Sequence, residues 1–91
     1  MINLNKENIY FAILDYIKVR KENFGLLFYN SKSTKMTFVK SKDIIKILTP
    51  NTENKKILIF ISKEDFFKKN IKAVITSLRE KGFITEINDS L

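Results

Sequence analysis

The 91-residue chain has no cysteine, no histidine and no tryptophan, one proline and two glycines. Each absence removes a class of chemistry. Without cysteine there are no disulfides and no thiolate metal ligands. Without histidine the commonest general base and the commonest zinc ligand are missing together, and Ser–His or Cys–His pairs are impossible. Two glycines are too few for a phosphate-cradling loop. Long hydrophobic runs are scarce too. Asp15 interrupts the apolar residues of 9–17, and the run 57–61 is far too short to span a bilayer. No basic patch leads into an apolar stretch at the N-terminus, so a cytoplasmic protein is expected. The carboxylates of Glu64 and Asp65, or of Glu86 and Asp89, read as helix-start and tail charges, not as acids or metal ligands. Tyr10, Tyr16 and Tyr29 read as core-edge aromatics. The reading is a binding module and not an enzyme, with no cofactor and no metal.

What remains is enough for one compact domain spanning 1–91, with its core at about 14–84. Hydrophobic residues make up 44% and eleven residues are aromatic. Fifteen lysines, fourteen isoleucines and nine asparagines beside two arginines resemble an AT-rich coding bias. That discounts part of the +7 net charge as solvated lysine. The remainder suits an anionic partner.

Two apolar runs, 24–29 and 36–39, are joined by polar residues and predict a β-hairpin. Before it, Ile17 and Val19 alternate with Lys18 and Arg20, the pattern of a half-buried strand. Gly25 suits a bulge or a close backbone approach. Residues 1–8 read as a loose lead-in, and 9–14 are too short for period to separate strand from helix. After the hairpin, Ser41 is an N-cap candidate with Asp43 in the first turn, and Ile44, Ile45 and Leu48 predict a short helix ended by Pro50. Residues 51–54 form a polar linker. Residues 57–61 favour a strand by β-branched propensity, yet a short buried helix also fits. Ser62 opens a long amphipathic helix over about 63–81, with Phe67, Ile71, Val74, Ile75 and Leu78 as its apolar stripe and Gly82 as its C-cap. Lys68, Lys72 and Arg79 fall on one flank of that stripe. Residues 83–87 return as a short strand or tail. Phe38 and Ile75 read as core.

Residues 20–29 (RKENFGLLFY), then 36–41 (MTFVKS), resemble the peptide chaperones of the mycofactocin system, the MftB family. Residues 78–84 (LREKGFI) are similar to the helix end that closes this family and its PqqD-like relatives. The resemblance runs over about 14–84. It implies a RiPP recognition element, which holds the leader of a ribosomally made precursor peptide and presents it to a modifying enzyme, often a radical SAM enzyme. It also implies an α+β, winged-helix-like fold: a three-stranded antiparallel sheet followed by three helices, the second over 54–61. The leader would add as a strand beside Met36, Thr37, Phe38, Val39 and Lys40; if the Val39 amide is one that donates to it, the Thr37 amide points the same way, since alternate residues of an edge strand do. Lys68, Lys72, Thr76 and Arg79 would line the helix side, suited to an acidic leader.

Two rival functions share these features. A winged-helix DNA-binding protein would use the same charge, but only Arg20 and Arg79 are available as guanine readers. A small homodimeric interaction domain would pair its own exposed edge. The expected partners are thus a leader peptide and its modifying enzyme, with no specific nucleic acid, no membrane, and a homodimer as a further option.

Overall fold

The computed structural model describes residues 6–41, 43–48 and 57–87. Its elements run β1 (Asn8–Ile13), β2 (Ile17–Glu22), β3 (Gly25–Asn30), β4 (Met36–Val39), β5 (Lys46–Leu48), β6 (Leu58–Ser62), α1 (Lys63–Phe66), α2 (Lys69–Glu80) and β7 (Ile84–Glu86). They make two antiparallel sheets, one of four strands in the order β5-β6-β1-β7 and one of three in the order β2-β3-β4.

The α+β class stands, but the winged-helix arrangement of three strands and three helices is overturned. Among the described residues there are two helices, and a second, larger sheet takes the segments expected to be helical or left undecided. β1 is the centre of that sheet. It pairs with β6 from Asn8↔Ser62 to Ala12↔Leu58, and with β7 from Phe11↔Glu86 to Ile13↔Ile84. Both β1 and β6 are flanked on each side and nearly continuous in apolar residues, which is how strands covered on both faces read. That is why period could not classify them.

Residues 54–61 do not form the helix that the resemblance implies. Residues 54–56 lie outside the described residues, and β6 follows from Leu58. Local propensity wins because Ile59 and Ile61 are fully buried on one face while Phe60 stacks on Tyr10 at 5.6 Å on the other. The short helix after Ser41 is also absent. The Ser41 carbonyl accepts from the Ile44 amide at 2.9 Å in a turn, and Lys46–Leu48 pairs with β6 instead. Three isoleucines in so short a span favour a strand, and few residues are available to offset the cost of helix nucleation. Pro50 and the linker at 51–54 lie outside the described residues, as do residues 1–5.

The long helix is interrupted. Ser62 caps α1 as expected, its hydroxyl accepting from the Asp65 amide at 3.1 Å. Lys68 then turns extended before α2 begins. The break has a packing cause. In one continuous helix Phe66 would point well away from the stripe Ile71, Ile75 and Leu78 at 100° per residue. The break frees Phe66 to stack on Phe11, at 6.3 Å between rings, while the stripe stays in the core. The C-terminus of α2 matches expectation. Gly82 has φ +79°, its amide bonds to the Arg79 carbonyl at 3.1 Å, and the Phe83 amide bonds to Leu78 at 3.0 Å. This is the paired-bond ending that a left-handed glycine permits.

One core joins both sheets to α2. It holds Phe11, Ile13, Ile59, Ile61 and Ile84 from the larger sheet, Ile17, Leu26, Phe28 and Val39 from the smaller, and Ile71, Ile75 and Leu78 from the helix. Phe28 meets Phe83 with ring centroids 5.9 Å apart. Each such side chain contributes about 1.5–3 kcal/mol by leaving water. Among the described residues no helix is long and apolar enough to cross a membrane.

Candidate functional site

The hairpin predicted from the sequence forms β3 and β4, with Leu26↔Val39 and Tyr29↔Met36 in register. The Asn30 side chain shapes its loop by accepting from the amides of Lys32 and Ser33 at 2.9 and 3.0 Å. β4 pairs with β3 alone and is an edge of the smaller sheet. The ladder fixes which of its backbone groups are free. The Asn30 amide bonds to the Lys35 carbonyl at 2.9 Å, and antiparallel pairs alternate between bonded and non-bonded. Thr37 and Val39 therefore turn their amides toward β3. Met36 and Phe38 present theirs at the open side, with Lys40 next in that series. So the Val39 amide is not one that donates to a leader, and neither is that of Thr37.

Side chains of β4 alternate as well. Val39 is in the core, whereas Met36 is 62% and Phe38 42% exposed, so Phe38 is not a core residue. Phe38 meets Phe24 edge-to-face at 6.4 Å on the outer surface of the sheet. Ile75 is core, as read. Gly25 makes the close approach its position suggested. A Cβ there would run into the Val39 carbonyl oxygen and lie 2.6 Å from the Ser41 nitrogen.

α2 comes near β4 at both ends of the strand. Near its C-terminus Glu80 and Lys81 line a recess with Met36 and Thr37. Near its N-terminus Asn70 and Ile71 line another with Lys40 and Ser41. Helical geometry puts Asn70, Val74, Ser77 and Lys81 on this one stripe, at spacings of four, three and four. Lys72, Thr76 and Arg79 lie on the far flank. Thr76 and Arg79 share a recess with Ile84, Thr85 and Glu86 of β7, and Arg79 bonds Glu86 at 2.9 Å. Lys72 sits over the Phe67 ring at 5.1 Å, and Lys68 pairs with Asp65 at 2.9 Å. Lys68 and the Ser62 hydroxyl hold the Asp65 carboxyl below its ordinary range, and Asp65 in turn raises Lys68. The structure thus gathers Met36, Thr37 and Lys40 beside α2, and directs Lys68, Lys72, Thr76 and Arg79 elsewhere. Sequence reasoning missed Asn70, Ser77 and Lys81. Their spacing was the available signal, and the cluster of positive charge on the other flank obscured it.

An open strand edge beside an amphipathic helix is the geometry of domains that take up extended peptides by strand addition. The model of the Peptide chaperone MftB family matches residues 10–85, and the chain belongs to that family. No curated protein and no solved structure matches it. A peptide chaperone is therefore the role that family membership supports.

Proposed function

We propose that the chain binds the leader of a ribosomally made precursor peptide without altering it, and presents it to a modifying enzyme of the radical SAM type. The leader adds as a strand to β4, bonding the free backbone groups of Met36 and Phe38. The observation that carries this reading is the unpaired edge of β4, whose ends share recesses with α2, in a member of a peptide chaperone family. The peptide's alternate side chains fall toward Asn70, Ser77 and Lys81. Lys68, Lys72, Thr76 and Arg79 sit outside that groove, and the positive charges of Lys68, Lys72 and Arg79 act by drawing in an acidic leader. Affinity on the order of 1 μM, about −8 kcal/mol, suits a carrier that must release its cargo.

Hydrogen exchange with and without a precursor peptide encoded beside the gene for this chain tests this. Slowed exchange at Met36 and Phe38 is expected. Protection at β2 or β7 in place of β4 would identify a different edge. Tight retention of one DNA sequence at physiological salt, far above random duplex, would favour the nucleic-acid rival.

A further inference from the structure

The smaller sheet turns only one face to the core, with Leu26, Phe28 and Val39 buried on it. Side chains alternate along each strand, so the register sets the other face. Lys18, Tyr29 and Met36 form one row across it, and Arg20, Leu27 and Phe38 the next. Phe24, between β2 and β3, adjoins the second row through Phe38. Four large hydrophobic side chains are exposed among the described residues, and Phe24, Met36 and Phe38 are three of them. Leu27 and Tyr29 lie between, half-buried and outside the core. Single exposed hydrophobic residues are ordinary, but a contiguous group marks a surface that another molecule covers.

Charge selects the kind of molecule. Lys18 and Arg20 border the patch along β2, and Lys35 and Lys40 flank β4. Glu22, the acid of β2, is held by Arg20 at 2.7 Å, while Lys18 makes no ion pair among the described residues. A second copy, laid face to face either way round, would set the cations of β2 against their own kind or against the lysines beside β4. The two exposed rings meet edge-to-face, at 79° between planes, and do not make the flat platform on which nucleic-acid bases stack. Size selects further. Strands stand about 4.8 Å apart, so the face from β2 to β4 is about 10 Å wide, the width of one helix.

We infer that this outer face docks an acidic amphipathic helix of a partner protein. The apolar stripe of the helix rests on Phe24, Leu27, Tyr29, Met36 and Phe38, and carboxylates on its flank meet Lys18 and Arg20. A helix laid over a sheet is how α+β domains bury an apolar sheet face, here supplied from outside. The side chains of β4 stand perpendicular to the sheet while its amides lie in the plane, so the face and the edge can be occupied together. That the chain thereby holds a leader and a partner at once rests on the reading of β4 as the peptide edge; the docking face does not.

The test is an NMR titration of the full chain with three synthetic peptides. One is a helix former with leucines on a single stripe and glutamates elsewhere. The second replaces its glutamates by lysines, and the third has the composition of the first in scrambled order. Saturable shifts at Leu27, Tyr29 and Phe38 are expected with the first alone. Lys18→Glu should weaken it about fivefold. Leu27→Ser should weaken it about tenfold, with urea unfolding to show that the variant is folded; if it is not, Lys18→Glu decides. Silence of the face, undiminished binding by Lys18→Glu, or equal binding of the scrambled peptide overturns the proposal. So does a dilution-dependent shift of the same residues, which would mean a second copy, or their response to an oligothymidylate at physiological salt, which would mean a nucleic acid. Hydrogen exchange separates this from the reading of β4. A precursor peptide that leaves Met36 and Phe38 unprotected sinks strand addition and spares the docking face, whereas protection there beside a silent face does the reverse.

Discussion

Gly25 is where a single atom matters most. Its missing Cβ makes room for the Val39 carbonyl and the Ser41 amide, so the last residue of β4 and the start of the recess are set against β3 backbone. Neither neighbour is a flexible side-chain tip. Gly25→Ala should therefore cost about 1–3 kcal/mol, as overpacking against fixed atoms does, read as a lower urea midpoint. The same variant should blunt peptide uptake, because the displaced atoms belong to β4. Thr34 is the opposite case. It holds φ +62° in the hairpin loop, a conformation that a β-branched residue adopts at a cost of about 1–2 kcal/mol. Thr34→Gly relieves that strain but gives the unfolded chain more freedom. A net gain of roughly 0.5 kcal/mol is expected from the difference, and thermal unfolding measures it.

Among the elements, β4 gives the sharpest contrast. Proline removes an amide, and its effect should alternate along the strand. Phe38→Pro deletes a donor that faces the open side, which edge strands tolerate, so the fold should survive and peptide binding should fall about three- to tenfold. Thr37→Pro cuts the ladder to β3 and should lower stability itself. Calorimetric titration beside urea unfolding distinguishes the two; equal behaviour would mean that the ladder alternates the other way. α1 gives a dependence on pH. The folded state depresses the Asp65 carboxyl through Lys68 and Ser62, so its contribution is complete above the ordinary carboxylate range and is lost as pH falls below it. Asp65→Asn should flatten the acid limb of the stability curve. What the sequence disclosed follows from the same physics. The hairpin, β2, the Ser62 cap and the Gly82 ending were legible because local chemistry decides them. β5 was not legible, and for β6 propensity favoured a strand without excluding a helix, since β5 pairs with β6 and β6 in turn with β1, about fifty residues upstream in register. The basic flank of α2 was visible as a pattern, but which flank faces β4 depends on where Phe66 breaks the helix.

In the molecule taken whole, the two sheets differ in how the chain assembles them. Every pair in the smaller sheet joins neighbours in sequence through a short turn or loop, as in Glu22↔Gly25 and Tyr29↔Met36. The larger sheet closes only when β1 meets β6 and then β7 at the other end of the chain. Contacts between distant residues are slow to form because loop closure comes first. The expected transition state therefore has a formed meander and an unfinished larger sheet. Leu26→Ala should slow folding, while Ile84→Val, in β7, should leave the folding rate alone and speed unfolding. Stopped-flow chevrons for the two variants would decide, and the reverse pattern would place the nucleus at β1 and β7. Such an order carries a hazard during synthesis. The edge that is to hold the cargo exists as soon as the first half of the chain has emerged, before α2 is there to shelter it. A bare, partly apolar edge invites pairing with another nascent copy. Lys35 and Lys40, immediately on either side of β4, put like charges at both ends of such a pairing, the means by which natural sheets keep their edges apart.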